Sequence, residues 1–177
     1  PIFKFNKVRD LSDARYASAM MAQWVGFEMF GASALPVAAI QEIVGWINGP
    51  QLILELNTEE TITENRLLSW MDVLPVNGFE CDYATFKTFS VKNEFKHLTW
   101  LITGSGNEEN VNAFTHSEEL VESAKEKHIV KLGLNEKYDK SVLETYKGIS
   151  IDCEPAENPA LKNYEYWNNF FEELELV

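Results

Sequence analysis

Carboxylates, an amide and glycine turns at the ends of apolar runs are the residues of this chain that could do chemistry. Asp152 closes one such run and Glu154 follows it; a pair of this kind could serve as acid and base, or hold a hard cation. Solvated loop acids fit the same pattern, because 28 acidic residues bring some together by number alone. Asn6 and Glu55 stand near the ends of two further runs, where Asn6 could bind a ligand through its amide or simply complete a hydrogen-bonded strand end. Gly133 with Asn135, and Ser105 with Gly106, follow strand-like runs and could hold an anion such as a phosphate on backbone amides, or be turns and no more. Cys153 has acids on both sides, which raise a thiol's pKa and blunt it as a nucleophile. His97, His116 and His128 share no short spacing, and His97 and His128 open strand-like runs, so they read as structural.

Composition narrows the partners. The net charge of −13, with 28 acids against 15 bases, argues against nucleic acid and against an anionic membrane surface, both of which need clustered Lys and Arg. A small ligand, phosphorylated or not, stays open, since a local pocket can hold an anion whatever the global charge. No apolar run is long enough to span a bilayer. Cys81 and Cys153 are far apart with no CxxC, so a disulfide framework or a zinc site has little support, no cofactor is expected, and cytoplasmic thiols are the simplest expectation. The chain starts at Pro1, which leaves a removed export signal as the alternative.

The elements that must position these residues alternate. Strand-like runs are expected at 2–6, 24–29, 51–56, 72–76, 97–103, 128–132 and 148–152. Helical patterns are expected at 11–21 with Ser12 as N-cap, and at 36–47, 60–70, 82–90, 117–127, 137–146 and the carboxyl end. This beat implies parallel strands with right-handed crossovers, either in an open doubly wound sheet or in a single-domain TIM-type (β/α) barrel over residues 1–177. With seven countable strands, such a barrel would be one βα unit short of eight or hold an irregular strand that the pattern misses; a missing unit would expose edges that a homo-oligomer could cover. The aromatic residues Trp24, Phe27, Trp46, Trp70, Trp100, Trp167, Phe170 and Phe171 read as core, with no basic groove beside them.

Lys4-Phe5-Asn6-Lys7-Val8-Arg9-Asp10-Leu11-Ser12-Asp13-Ala14, followed by Trp24-Val25-Gly26-Phe27-Glu28-Met29-Phe30, resembles the opening of the phosphoribosylanthranilate isomerase family. Leu132-Gly133-Leu134-Asn135 is similar to that family's Gly-Gly-Leu-Asn segment, and residues 148–173 to its last strand and helix; Asp72 to Glu80 resembles its fourth-strand region more loosely. The resemblance implies a (β/α) barrel and an Amadori rearrangement in tryptophan biosynthesis, run by a Cys base and an Asp acid.

The working positions depart from that pattern. Asn6 takes the place of the Cys, and a neutral amide has almost no basicity at neutral pH. No Asp stands near Thr103 where the acid is expected, Ser33-Ala34-Leu35 replaces Ser-Pro-Arg, and Asp152-Cys153-Glu154 replaces a phosphate-binding Ser-Ser-Gly. The expectation is therefore a barrel without that activity that binds a small metabolite or a partner at its mouth. The alternatives are an active isomerase with its acid and base relocated to residues such as Asp152 or Glu55, and a structural or interaction protein.

Overall fold

The computed structural model describes residues 2–104, 113–118, 120, 125–133, 136–153 and 164–175. Ser105, Gly106, Asn135 and Glu154 lie outside the described residues, as does the rest of the segment 154–163.

Eight parallel strands close into a barrel in sequence order: β1 Ile2–Asn6, β2 Trp24–Glu28, β3 Gln51–Glu55, β4 Val76–Cys81, β5 Thr99–Thr103, β6 Ala113–Ser117, β7 His128–Lys131 and β8 Gly148–Asp152. β8 returns to pair with β1, from Ile2 opposite Gly148 to Asn6 opposite Asp152. The fold is therefore a TIM-type barrel with its full set of strands; of the two alternatives, a missing unit or a missed strand, the second holds, and β6 is the missed strand. With no open edge, the reason given for an oligomer lapses as well.

The helices are α1 Leu11–Ala19, α2 Val37–Gly45, α3 Glu64–Val73, α4 Tyr83–Phe89, α5 Lys140–Leu143 and α6 Glu165–Glu173. Capping fixes several starts: side-chain oxygens of Asp10, Thr63, Asp82 and Asp139 accept from the backbone N–H of Asp13, Arg66, Thr85 and Ser141. Asp10, not Ser12, therefore caps α1. The strand expected at 72–76 is displaced, because α3 runs through Val73 and ends at Leu74, held extended before Pro75, so that β4 starts only at Val76. The helix expected at 117–127 is also absent where described: Ser117 ends β6 and Lys125–Lys127 form one 3-10 turn.

Two apolar layers result from strand alternation. Phe5, Val25, Leu52, Leu54, Phe79, Trp100 and Ile149 belong to the large core shared with the helices, where Phe3 meets Phe171 at 4.9 Å and Phe5 meets Trp167 at 5.4 Å. Their inward neighbours Trp24, Ile53, Leu101 and Ile129 form a separate cluster that plugs the amino-terminal half of the barrel. Trp46, expected in the core, is 63% exposed at the C-cap of α2.

Candidate functional site

Above the apolar plug the barrel interior turns ionic. Lys4 points inward between outward-facing Phe3 and Phe5 and is fully buried. Its ammonium donates to Oδ1 of Asn6 at 2.5 Å, to Oε1 of Glu55 at 2.7 Å and to Oε2 of Glu80 at 2.9 Å. Three protons on one nitrogen thus serve three acceptors from β1, β3 and β4. Gly26 makes room for this cluster, since a Cβ there would fall 1.9 Å from Glu55 Oε1 and 2.9 Å from Lys4 Nζ.

The two glutamates are unequally supported. Glu80 Oε2 also faces His116 Nδ1 at 3.0 Å, and its Oε1 accepts from Asn57 Nδ2 at 3.3 Å. His116 Nε2 lies 2.7 Å from Ser150 Oγ, so a chain runs from Ser150 through His116 and Glu80 to Lys4. Glu55 receives Lys4 and, at 3.3 Å, the backbone N–H of Lys7, both on Oε1; its Oε2 is buried with no hydrogen-bond partner among the described residues.

These surroundings separate the protonation states. Burial works against the charge on Lys4, but Glu55 and Glu80 outweigh it and hold its pKa above the ordinary value. Burial pushes Glu55 up, with the charge of Glu80 adding to it against the pull of Lys4. Burial acts on Glu80 too, yet Lys4 and His116 overcome it and hold that carboxyl well below the carboxylate range. Lys4 pairs with Glu55 at 2.7 Å and with Glu80 at 2.9 Å, and the surroundings drive the two carboxyls apart, Glu55 upward and Glu80 downward.

At the mouth, Asp152 accepts from Asn6 Nδ2 at 3.0 Å and pairs with Lys7 at 3.2 Å and Lys131 at 3.3 Å. Burial would raise its pKa, but the charges of Lys131 and Lys7 prevail and lower it. Lys131 reaches Glu118 at 2.9 Å as well. Asn6, Lys7, Glu55, Asn57, Glu80, Thr103, His116, Ser117, Glu118, Lys131 and Asp152 line one pocket of about 150 Å³ at the carboxyl ends of the strands, where barrels carry their sites. A shallower groove of about 390 Å³ continues past Asn57 and Thr103 to Thr58, Glu59 and Asp82.

The structure thus brings Asn6, Glu55 and Asp152 together in one pocket. Gly133 lies apart from it, with its N–H donated to Tyr138 Oη at 2.8 Å. Sequence reasoning missed Lys4, Glu80, Asn57 and Ser150, and read His116 as structural although it lines the pocket. His128 is buried against Thr115, with Nδ1 2.7 Å from its hydroxyl, and His97 is exposed in the turn before β5. Cys81 and Cys153 are buried free thiols. No group of three His, Cys, Asp or Glu among the described residues is arranged to hold a metal ion, and no described helix is long and apolar enough to cross a membrane.

No protein-family model matches the sequence, and no curated protein matches it. Solved structures do. The dimeric phosphoribosylanthranilate isomerase of Thermotoga maritima, solved as generated monomers, matches with a TM-score of 0.69 over 99% of both chains, at 12% identity. The chain has the phosphoribosylanthranilate isomerase fold. The isomerase of Pyrococcus furiosus gives 0.68 at 14% identity, again over 99% of both chains. An isomerase solved with reduced 1-(o-carboxyphenylamino)-1-deoxyribulose 5-phosphate gives 0.68 at 13%, with the same coverage. Identity this low speaks for the fold alone, and the pocket has to be judged on its own residues.

Proposed function

We propose that this isomerase-fold barrel does not run the isomerase reaction and instead binds a small polar metabolite at its mouth. The observation that carries the reading is the buried Lys4 cluster. Asn6, in the place that the resemblance assigns to the Cys base, is tied by its carbonyl to Lys4 and by its amide nitrogen to Asp152, and offers no basic atom. The pocket of about 150 Å³ continues past Asn57 and Thr103 into a groove of about 390 Å³, and together they leave room for a small ligand. The absence of a base at Asn6 supports loss of the reaction, and the polar lining of the mouth supports a polar ligand. Buried free thiols support a reducing compartment, for which the cytoplasm is the simplest assignment.

The test is loss of anthranilate fluorescence when the purified chain meets freshly generated phosphoribosylanthranilate. Decay at the uncatalysed rate is expected, and acceleration to an enzyme-like rate refutes the proposal. One observation favours a second reading, an active isomerase with relocated acid and base: Glu55 and Asp152 share the pocket while their surroundings drive their pKa values in opposite directions. On that reading Glu55→Gln and Asp152→Asn would each abolish a measurable turnover.

A further inference from the structure

Two asparagines of the chain precede a glycine, Asn48 and Asn77, and the fold treats them differently. Such a pair is open to one spontaneous reaction, in which the glycine nitrogen attacks the asparagine's side-chain carbonyl carbon. Glycine favours it because no Cβ obstructs the approach. Asn77-Gly78 is closed to this chemistry. The Asn77 carboxamide oxygen accepts the Leu52 N–H at 2.8 Å, and Gly78 is buried in β4, opposite Ile53 of β3 and Thr99 of β5. Even a Cβ at Gly78 would lie 2.4 Å from the Thr99 carbonyl oxygen, so the backbone there cannot turn toward the side chain without opening the sheet. Asn48-Gly49 meets none of these restraints. Both residues are exposed in the connection from α2 to β3, Gly49 has a φ of 107°, and a Cβ on it would find nothing within 4 Å. The Asn48 backbone carbonyl accepts the Ser18 hydroxyl at 2.6 Å, which anchors the turn, while no described residue hydrogen-bonds the Asn48 carboxamide or the Gly49 N–H.

We propose that Asn48 is a modification site, deamidating spontaneously in the folded protein with water as the only co-reactant, and that the barrel shields Asn77 from the same fate. In the first step the bond from Gly49 N to Asn48 Cγ forms and the Cγ–Nδ2 bond breaks; the proton lost by the Gly49 nitrogen leaves with ammonia. In the second, a water oxygen bonds to one carbonyl carbon of the five-membered imide and that carbon's bond to the ring nitrogen breaks, returning the nitrogen its proton. One water enters and one ammonia leaves, with nothing oxidised or reduced. Opening on one side gives aspartate at position 48. Opening on the other gives isoaspartate, in which the chain runs through the β-carbon and the carbonyl that Ser18 holds becomes a free carboxylate off the main chain. Either product places a new negative charge two residues from the exposed Trp46, on a chain already at −13. The turn precedes β3, at the end of the barrel opposite the mouth, so this inference stands apart from the mouth-binding reading.

The test ages the full chain in mildly alkaline buffer, where the backbone nitrogen loses its proton more readily, and follows both peptides by mass spectrometry after digestion. A parallel sample is aged in urea. In native protein the Asn48 peptide should gain the mass of deamidation and divide into aspartate and isoaspartate forms. It should do so at least about tenfold faster than the Asn77 peptide, whose reaction waits on local opening of β4. In urea the two rates should come within about threefold of each other, because the sheet no longer protects Asn77. An Asn48 peptide that stays intact, or native rates that are equal, overturns the proposal. A tenfold gap that persists in urea overturns it as well, since the difference would then belong to the local sequence and not to the fold. Wild type should also develop an acidic band on isoelectric focusing that Asn48→Gln, whose side chain would need a six-membered ring, develops at least about tenfold more slowly. The same band forming at the wild-type rate in Asn48→Gln would place the charge gain elsewhere and refute Asn48 as the site.

Discussion

Replacing Lys4 by methionine keeps the length and most of the volume of the side chain but removes the one charge that compensates the buried carboxylates. Glu80 would then face only His116 and Asn57, and three acceptors now bonded to the ammonium would each lose a donor. Removing one partner of a buried ion pair costs about 3–5 kcal/mol, a large part of the roughly 5–15 kcal/mol that separates folded from unfolded domains. At about 2–4 °C per kcal/mol for a chain of this size, Tm should fall by about 6–20 °C. Urea unfolding followed by tryptophan fluorescence is a suitable assay, because Trp24 sits inside the barrel and Trp100 in the surrounding core. The informative comparison is a cycle of Lys4→Met, Glu80→Gln and the double variant. Glu80→Gln removes the negative charge that Lys4→Met strands, so the double variant should be more stable than the two single losses added together predict, by about 1–3 kcal/mol. Strictly additive losses, or a Lys4→Met loss of less than about 1 kcal/mol, would refute the view that the cluster is a coupled buried ion pair.

Other predictions follow from the same cluster. Gly26→Ala drives a Cβ into Glu55 and should cost about 1–3 kcal/mol in urea unfolding, relieved in part when Glu55→Ala removes the clashing oxygen. The two glutamates should act oppositely on the pH dependence of stability. Glu80, whose folded pKa is lowered, contributes stability that is present above the ordinary value of 4.5 and lost as pH falls below it, so Glu80→Gln should flatten the acid limb. Glu55, whose folded pKa is raised, keeps a proton that the unfolded chain has lost, so stability declines as pH rises above 4.5; Glu55→Gln should remove that decline, as denaturation across pH will show. Cys81 and Cys153 should react with a thiol reagent in native protein at least about a hundredfold more slowly than in urea, because both are buried and burial pushes the Cys81 thiol up.

How far the sequence disclosed this arrangement depended on what each strand faces. β2, β3 and β5 were legible because both faces are largely apolar, the pattern expected of buried parallel strands. β6, Ala-Phe-Thr-His-Ser, is mixed on its inward side, where Phe114 packs on the apolar plug and His116 serves the ionic cluster; its short, half-polar pattern hid it and produced the count of seven. Lys4 lay in a recognised strand, yet its meaning depended on facing: Phe3 and Phe5 on the outer face force Lys4 inward, where a buried ammonium needs acids. Glu55 and Glu80 supply them from strands that also alternate, so the phase of each strand was the signal that could have joined the three. Asn6, Glu55 and Asp152 were found as strand-end residues, the positions that barrel geometry gathers at one mouth. The opposite directions in which the Glu55 and Asp152 carboxyls are driven were not readable, because they depend on burial and on which charges and donors reach each group.

The chain from Ser150 through His116 to Glu80 has the connectivity of a serine nucleophile, its base and an orienting acid, but the surroundings argue against that chemistry. Ser150 is fully buried in the middle of β8, paired on both sides by β1 and β7, and its backbone oxygen accepts the N–H of Leu132. A nucleophile must reach a carbonyl carbon and place the resulting oxyanion near free backbone donors, whereas here the hydroxyl lies beneath His116 and the strand is held in its ladders. The physical role that fits is orientation. With Nδ1–H directed to Glu80, His116 Nε2 accepts the Ser150 hydroxyl, which fixes the ring so that one of Glu80's three donors is always in place. Ser150→Ala should then leave Nε2 unsatisfied at a cost of about 1–3 kcal/mol and steady Glu80 less firmly against acid. Wild type should remain unlabelled by a fluorophosphonate that modifies activated serines. Labelling lost on Ser150→Ala would instead show a working nucleophile and refute the orienting role.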